Sequence, residues 1–245
     1  MAEEILEVKG IIKRFGGVTA VDDVSLTVNR GEVFGLLGDN GAGKSTLIKI
    51  ICGAYQPDEG EIFFDGKKIE NHNPSNARKI GIETVFQDLA LVDPLDIPAN
   101  IFLGRELRNG PFGFLNKKKM EEGSLKLLER LKINIPKLST SVLSLSGGQR
   151  QAIAIARNVY WNAKMVIMDE PTAALGVRER NNVLNIIRTL REQGVTVILI
   201  SHNMEDVFAV TDHIAIMRRG QMRADLITKE TTTEEVVGII TGAIA

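Results

Sequence analysis

The chain of 245 residues lacks the features that mark secreted and membrane proteins. Cys52 is its single cysteine, which excludes an internal disulfide and fits a reducing compartment. Its place in an apolar run predicts a small core residue. No segment approaches the roughly 20 apolar residues that a membrane-spanning helix needs, and residues 1–5 have neither the basic start nor the apolar stretch of a signal peptide. These absences predict a cytoplasmic protein, held at a membrane only through another protein.

An excess of basic charge is also missing. The chain has 30 Lys and Arg against 31 Asp and Glu, a net charge of −1, which argues against a large basic face for nucleic acid. The run Lys117–Lys119 is too short for such a patch and is typical of a solvated helix start. We therefore expect no nucleic-acid partner.

Short apolar strands alternate with helical patterns along much of the chain, which is typical of a layered α/β domain. Three strand-like segments near the N-terminus, Ile5–Val8, Asp23–Val28 and Glu61–Asp65, predict a small antiparallel β layer. Met165–Met168 and Val195–Ile200 are near-continuous apolar runs, as expected of central strands covered on both faces.

Residues 88–161 differ from this pattern. They contain four prolines, and Leu125, Leu128 and Leu131 recur at helical spacing. We interpret this stretch as an α-helical subdomain inserted into an α/β core formed by residues 1–87 and 162–245.

A glycine-rich segment carries the strongest functional signal. Gly38–Thr46 fits the pattern G-x-x-x-x-G-K-[S/T] and lies between an apolar strand, Val33–Leu37, and the start of a helix. Its glycines let successive N–H groups point inward at a phosphate. Lys44 would reach the β- and γ-phosphates, and Ser45 would offer a hydroxyl to Mg²⁺. A chance glycine-rich turn is the alternative, which the strand–loop–helix context disfavours. The expected triphosphate-binding residues are Gly38, Asp39, Asn40, Gly41, Ala42, Gly43, Lys44, Ser45 and Thr46.

Two carboxylates end a later hydrophobic strand. Asp169 and Glu170 follow the run Met165–Met168. In P-loop folds such a strand lies beside the P-loop strand, so Asp169 could hold Mg²⁺, through water. Glu170 could then accept a proton from the attacking water, or orient it. Alone, the pair could equally be two acids at the surface end of a strand.

A second glycine-containing segment, Leu145–Gln149, precedes a helical stretch. Ser146 is a natural N-cap, and two glycines leave the first N–H groups of the helix uncovered. We interpret this segment as a second anion site, although an ordinary capped helix fits the same residues. The residues expected to contact nucleotide here are Ser146, Gly147, Gly148 and Gln149.

With these segments the chain resembles, over essentially its whole length, the nucleotide-binding subunit of an ATP-binding cassette transporter. Leu145–Gln149 matches the signature sequence of that family, which is more specific than a P-loop. The resemblance implies an ATPase of P-loop fold with ATP and Mg²⁺ as cofactors. It also implies that Phe15 stacks on adenine, that His202 contacts the γ-phosphate, and that Gln87 touches Mg²⁺ and the water and hinges the helical subdomain. On the residues alone, these three could be a core aromatic, a structural histidine and a surface glutamine.

One position departs from the family. Where it usually has Asp, this chain has Gly176, which puts cross-talk between two sites in doubt but leaves hydrolysis intact. His72 and His213 match no family position, so we expect them to be structural or solvated. The expected catalytic residues are Lys44, Gln87, Glu170 and His202, and the expected metal ligands are Ser45, Gln87 and Asp169.

The resemblance further implies a head-to-tail homodimer that sandwiches two ATP molecules, each held by the P-loop of one chain and by residues 146–149 of the other. Integral membrane permease subunits would hold this dimer at the inner face of the membrane, served by a secreted sugar-binding protein.

The cargo rests on analogy alone. Asn100–Glu106 is similar to importers of monosaccharides such as ribose, xylose or fructose, whereas Phe15–Gly17 is similar to branched-chain amino-acid importers. A soluble ATPase of this fold that acts on nucleic acid is a third possibility. Such relatives typically carry a coiled-coil insertion, a second cassette or basic extensions, and none is present in this sequence.

Overall fold

The computed structural model describes residues 3–70, 72–86, 88–109 and 113–244. The strands in these residues are β1 (Glu4–Phe15), β2 (Val18–Asn29), β3 (Val33–Leu37), β4 (Glu59–Phe64), β5 (Lys67–Lys68), β6 (Ile82–Val85), β7 (Arg108–Asn109), β8 (Phe114–Leu115), β9 (Met165–Asp169), β10 (Thr196–Ile200), β11 (His213–Arg218) and β12 (Gln221–Ile227). The helices are α1 (Lys44–Ile51), α2 (Pro74–Ile80), α3 (Ile97–Ile101), α4 (Lys117–Arg130), α5 (Gly147–Val159), α6 (Val177–Glu192), α7 (Met204–Val210) and α8 (Thr233–Thr241). Short 3₁₀ turns cover Val142–Ser144 and Thr228–Glu230.

A six-stranded sheet forms the centre of the molecule, in the order β12-β11-β3-β10-β9-β6. Strands β11, β3, β10, β9 and β6 run parallel, and β12 pairs antiparallel with β11 at one edge. Residues 165–168 of β9 and every residue of β10 are buried, which confirms the prediction of central strands covered on both faces. The expectation that β9 lies directly beside the P-loop strand β3 was wrong, because β10 lies between them. In register, Ile200 of β10 faces Asp169 on one side and Leu36 on the other. The carboxyl ends of β3, β9 and β10 therefore meet at one edge of the sheet, where α/β folds commonly bind ligands.

The predicted N-terminal β layer is present as an antiparallel sheet in the order β2-β1-β4-β5. Strands β1 and β2 form a long hairpin whose pairing extends from Glu4 with Asn29 to Phe15 with Val18. Helix α1 lies between this sheet and the central one, since its buried face packs in one core cluster with residues of both. This packing fixes the start of α1, and with it the P-loop.

The stretch between β6 and β9 contains α3, α4 and α5, and it also contains the small antiparallel pair β7–β8, which the sequence did not lead us to expect. In α4 the buried face runs through Met120, Leu127 and Leu128. Leu125 and Leu128 lie in α4 and Leu131 is its C-cap, which agrees with their helical spacing, although Leu125 is 49% exposed. Each step of three residues rotates about 60° short of a full turn, so a row of three such leucines drifts off one face.

The described part of the chain contains no helix that is both long enough and apolar enough to cross a bilayer. Cys52 is buried, as expected of a small core residue, and Lys117–Lys119 form the exposed first turn of α4.

Candidate functional site

The loop between β3 and α1 depends on glycine at defined positions. Gly38 has φ +144°, and a Cβ there would lie 2.1 Å from the carbonyl oxygen of Met217. Gly43, with φ +102°, would place a Cβ 2.4 Å from the carbonyl oxygen of Ala20. Only glycine fits both the backbone conformation and the space. Residues 40–46 line an open cavity of about 500 Å³ with residues of β2 and the β11–β12 turn.

Lys44 is the first residue of α1, and its ammonium points back into the loop. Its Nζ donates hydrogen bonds to the carbonyl oxygens of Gly38 at 2.6 Å and Asp39 at 2.9 Å. Burial lowers the pKa of Lys44, and the negative charges of Glu170, Asp169 and Asp39 oppose that shift. The ammonium therefore lies in the field of the two carboxylates at the end of β9, at the place where the sequence predicts a triphosphate.

Asp169 ends β9 beside this loop, and its surroundings fit a cation. Burial first, and then the neighbouring Glu170 carboxylate, raise the pKa of Asp169. A divalent cation would offset both effects. The described residues contain no group of three acidic, histidine or cysteine side chains that could cage a metal. Mg²⁺ commonly binds through one or two protein ligands, with water and substrate phosphates completing its shell. Asp169 and Ser45 supply oxygen atoms of the kind that Mg²⁺ prefers, and their role as ligands stays a prediction.

Glu170 and His202 come together although they lie far apart in sequence. Glu170 follows β9 and His202 follows β10, and His202 Nδ1 lies 2.8 Å from Glu170 Oε1. An ionised carboxylate only accepts, so the His202 Nδ1–H donates and Nε2 remains directed away from Glu170. The His202 side chain is 79% exposed and that of Glu170 20%. The pair is thus formed within the chain, with its imidazole open to a ligand.

The backbone at Glu170 is strained. Its φ is +50°, in the left-handed region that costs a non-glycine residue about 1–2 kcal/mol. The Glu170 N–H donates to the carbonyl oxygen of Ile200 at 2.9 Å, which anchors the turn to β10. Such strain persists where the surrounding structure determines it, and it concentrates at functional sites.

The second anion segment lies at the N-terminus of α5. The Ser146 Oγ accepts from the Gln149 N–H at 3.3 Å, and Gln149 Oε1 accepts from the Ser146 N–H at 3.1 Å. The N-cap predicted at Ser146 is confirmed, as part of a reciprocal capping box. Ser146, Gly148 and Gln149 line a cavity of about 570 Å³ that shares no lining residue with the P-loop cavity. Within one chain the P-loop and the Ser146–Gln149 segment therefore line different cavities.

Comparison with known proteins decides the family. The family model described as "ABC transporter" matches residues 21–173, which include the P-loop, Leu145–Gln149 and both β9 carboxylates. This chain belongs to the ABC transporter family.

Curated relatives of this ABC-transporter chain extend over almost its whole length. It is 51% identical to the xylose/arabinose import ATP-binding protein XylG of Sulfolobus acidocaldarius, over 97% of this chain and 94% of the relative. It is 46% identical to the fructose import ATP-binding protein FrcA of Rhizobium meliloti, over 99% and 96%.

Solved structures share the fold. A nucleotide-free ATP-binding cassette from an ABC transporter superposes with a TM-score of 0.83 at 31% identity, over 97% of this chain and 95% of the other. A dimeric ATP-binding cassette in a post-hydrolysis state, bound to ADP and Pi, gives a TM-score of 0.77 at 25% identity, over 91% and 99%. The P-loop α/β fold with an N-terminal β layer is therefore that of an ABC cassette.

Sequence reasoning missed one residue that lies against the Ser146–Gln149 segment of the ABC chain. Glu179, in the first turn of α6, lies against Gly148 so closely that a Cβ on this glycine would come within 2.6 Å of the Glu179 Cβ. A hydrogen bond from the Ser146 hydroxyl, followed by bonds from the N–H groups of Gly176 and Gly148, holds the pKa of Glu179 below its ordinary value. The spacing Gly176-x-x-Glu179, a half capping box, is the sequence signal that could have identified it.

The departure at Gly176 has a local consequence in the ABC chain. Gly176 is the N-cap of α6 and has no side chain to cap the helix. Glu179 instead accepts from the Gly176 N–H at 3.4 Å. A carboxylate thus remains at this helix start, three residues later than the family places it.

The aromatic, glutamine and histidine positions singled out in the sequence lie outside the P-loop cavity or outside the described residues. Phe15 is exposed, contacts Tyr55 edge-on with ring centroids 5.5 Å apart, and is not among the residues that line the P-loop cavity. Gln87 lies outside the described residues. His72 is buried and its Nε2 lies 2.7 Å from the carbonyl oxygen of Ile51, whereas His213 contacts Glu32 at 2.8 Å. Both of these histidines have structural contacts, and the role expected of Phe15 stays a prediction.

Proposed function

We propose that the chain is the ATP-hydrolysing subunit of an ABC importer, which dimerises on ATP to drive uptake of a monosaccharide through membrane permeases. The single observation that carries the hydrolytic part is the 2.8 Å contact of Glu170 with His202 at the sheet edge where Lys44 closes the P-loop. A base, a histidine and a phosphate-binding lysine meet there on rigid strand and helix ends.

Each of these residues has a separate part in hydrolysis. The P-loop N–H groups and Lys44 bind the β- and γ-phosphates. Glu170 accepts a proton from the attacking water, or orients it, and His202 contacts the γ-phosphate through the ring edge that faces away from Glu170. When bound, Mg²⁺ supplies charge neutralisation between the phosphates, held by Asp169 and Ser45 and, in this proposal, by Gln87. The positioned base contributes about 10²–10⁴ in rate.

A second copy of the chain completes each site. The P-loop cavity and the cavity beside Ser146 have no lining residue in common, and in this proposal each triphosphate contacts the two segments on different copies. In a head-to-tail dimer residues 146–149 of one copy face the P-loop of the other, and Phe15 lies beside adenine. The solved dimeric cassette of the same fold supports this assembly.

The subdomain division follows from the same proposal. Residues 88–161 form the inserted helical subdomain that carries Ser146–Gln149, and residues 1–87 and 162–245 form the catalytic core. Permease subunits hold the dimer at the inner face of the membrane, and a secreted sugar-binding protein delivers the cargo.

Sugar is favoured over the other cargoes because of the relatives' names. The relatives XylG and FrcA are import proteins for xylose/arabinose and for fructose, and they are 51% and 46% identical to this chain. Branched-chain amino acids remain the alternative from the sequence. A role on nucleic acid is disfavoured by the net charge of −1.

Co-purification tests the transport role. The tagged chain is expressed in its native host and isolated in mild detergent with MgATP. We expect a partner with several transmembrane helices and no nucleic acid, and uptake of labelled xylose, ribose or fructose should fall when the gene is deleted. Bound RNA or DNA without a membrane partner would overturn the proposal. If deletion of the gene abolished leucine uptake and left sugar uptake intact, the cargo would be a branched-chain amino acid and not a monosaccharide.

A further inference from the structure

A buried hydrogen bond connects the loop after β9 to the helix after β10. The Thr172 hydroxyl donates to Asp206 Oδ2 at 2.6 Å. Asp206 is 1% exposed and Thr172 8%, so this bond has little competition from water. Thr172 is two residues from Glu170, and Asp206 is four residues from His202. The bond therefore connects the loop that presents Glu170 to the helix that directly follows His202.

Arg180 brings a third element to the same carboxylate. Its Nε donates to Asp206 Oδ1, and its Nη2 donates to Glu205 at 2.8 Å and to Asn203 at 3.4 Å. Arg180 lies in the first turn of α6. Both oxygens of the buried Asp206 carboxylate are thus occupied, one by the loop of Glu170 and one by the helix that follows it.

The catalytic pair needs such support. Glu170 is held at φ +50°, a conformation that its own residue type disfavours. His202 is largely exposed, so little packing fixes its ring. In the part of the chain that the structure describes, the turn after Glu170 is otherwise closed by single backbone bonds, from the Ala173 N–H to the Glu170 carbonyl at 3.1 Å and from the Leu175 N–H to the Thr172 carbonyl at 3.3 Å.

We propose that Asp206 is a positioning residue for ATP hydrolysis, which acts through Thr172 on the loop of Glu170 and through its own helix on the loop of His202. This inference rests on the proposed role of the Glu170–His202 pair. Asp206 touches neither nucleotide nor water in this proposal. It keeps the distance between the two loops fixed, so that the carboxylate and the imidazole meet at the orientation hydrolysis needs.

The test compares three threonine variants of the full chain. Thr172→Val removes the hydroxyl at nearly constant shape, and Thr172→Ser restores it. Thr211→Val is the matched control, since Thr211 is 7% exposed and its hydroxyl bonds the Val207 carbonyl at 2.9 Å at the far end of α7. Steady-state MgATPase kinetics, ATP binding and thermal unfolding are measured for each.

Thr172→Val should lower kcat about 10- to 100-fold, because a small misplacement of reacting groups costs that much. Its KM and ATP affinity should stay within about twofold, since the P-loop is untouched. Thr172→Ser should recover most of kcat, and Thr211→Val should keep it. Arg180→Gln, which removes the other arm of the contact, should lower kcat in the same direction even if Thr172→Val proves too unstable to assay.

Equal kcat for Thr172→Val and Thr211→Val in an active protein would overturn the inference and leave the proposed function standing. A fall in kcat that Thr172→Ser does not repair would also overturn it. If the wild-type chain shows no MgATPase activity, the proposed function itself fails, and the inference falls with it.

Discussion

The Glu170 carboxylate and the His202 imidazole lie 2.8 Å apart at the ends of two adjacent parallel strands. Their contact places a proton acceptor beside a side chain that can reach a phosphate. We predict that Glu170→Gln keeps ATP binding and that its kcat falls about 10²- to 10⁴-fold, because the amide cannot take up a proton.

Nucleotide binding and MgATPase rates check this prediction together. Glu192→Gln, at the exposed end of α6, is the control for removal of one negative charge and should behave as wild type. Normal turnover in Glu170→Gln would show that Glu170 is not the base in ATP hydrolysis.

The P-loop glycines differ in what a methyl group would meet. Gly38→Ala should be strongly destabilising, since its Cβ would lie 2.1 Å from a backbone oxygen in a positive-φ conformation. Gly41, at φ +81°, has nothing within 4 Å of an added Cβ. Gly41→Ala should therefore cost only the conformational strain of about 1–2 kcal/mol.

Thermal unfolding separates the two variants. We expect Gly41→Ala to lower Tm by a few degrees, at about 2–4 °C per kcal/mol for a chain of this size. Gly38→Ala should lower it by clearly more and weaken ATP binding. Equal decreases in Tm for the two variants would contradict the close approach of the Met217 carbonyl oxygen to Gly38.

His72 should make stability depend on pH. Burial lowers the pKa of His72, and its Nδ1 has no partner among the described residues. Below the ordinary histidine value of about 6.5 the unfolded chain takes up a proton that the folded chain refuses. The free energy of unfolding should therefore decrease as pH falls from about 7 toward the lowered pKa of the folded state.

Urea unfolding at several pH values, for wild type and His72→Gln, measures this effect. The glutamine can still donate to the Ile51 carbonyl and does not titrate, so the variant should lose less stability on acidification. Parallel pH profiles for the two proteins would contradict the assignment.

The sequence allowed the P-loop and the capped start of α5 to be predicted because each is a local pattern. Gly43 acts through its own backbone conformation, the Lys44 ammonium bonds carbonyl oxygens of the same loop, and Ser146 caps its own helix. The central strands were equally predictable, since burial on both faces leaves a continuous apolar run.

Contacts between distant segments were not predictable in the same way. Thr172 and Asp206 are 34 residues apart, and neither stands out by type or spacing. The half capping box marks Glu179 as a helix-start residue, but its contact with Gly148 depends on the packing of α5 against α6.

We infer that residues 146–149 of one copy complete the P-loop site of another. The most direct test mixes two variants, each inactive alone: Lys44→Ala, which lacks the phosphate-binding lysine, and Ser146→Arg, which blocks the second anion site. In a mixed dimer one of the two sites pairs an intact P-loop with an intact Ser146. An equal mixture should therefore recover about a quarter of wild-type MgATPase activity if subunits exchange freely and sites act independently. Activity no greater than the sum of the separate variants would contradict a shared site.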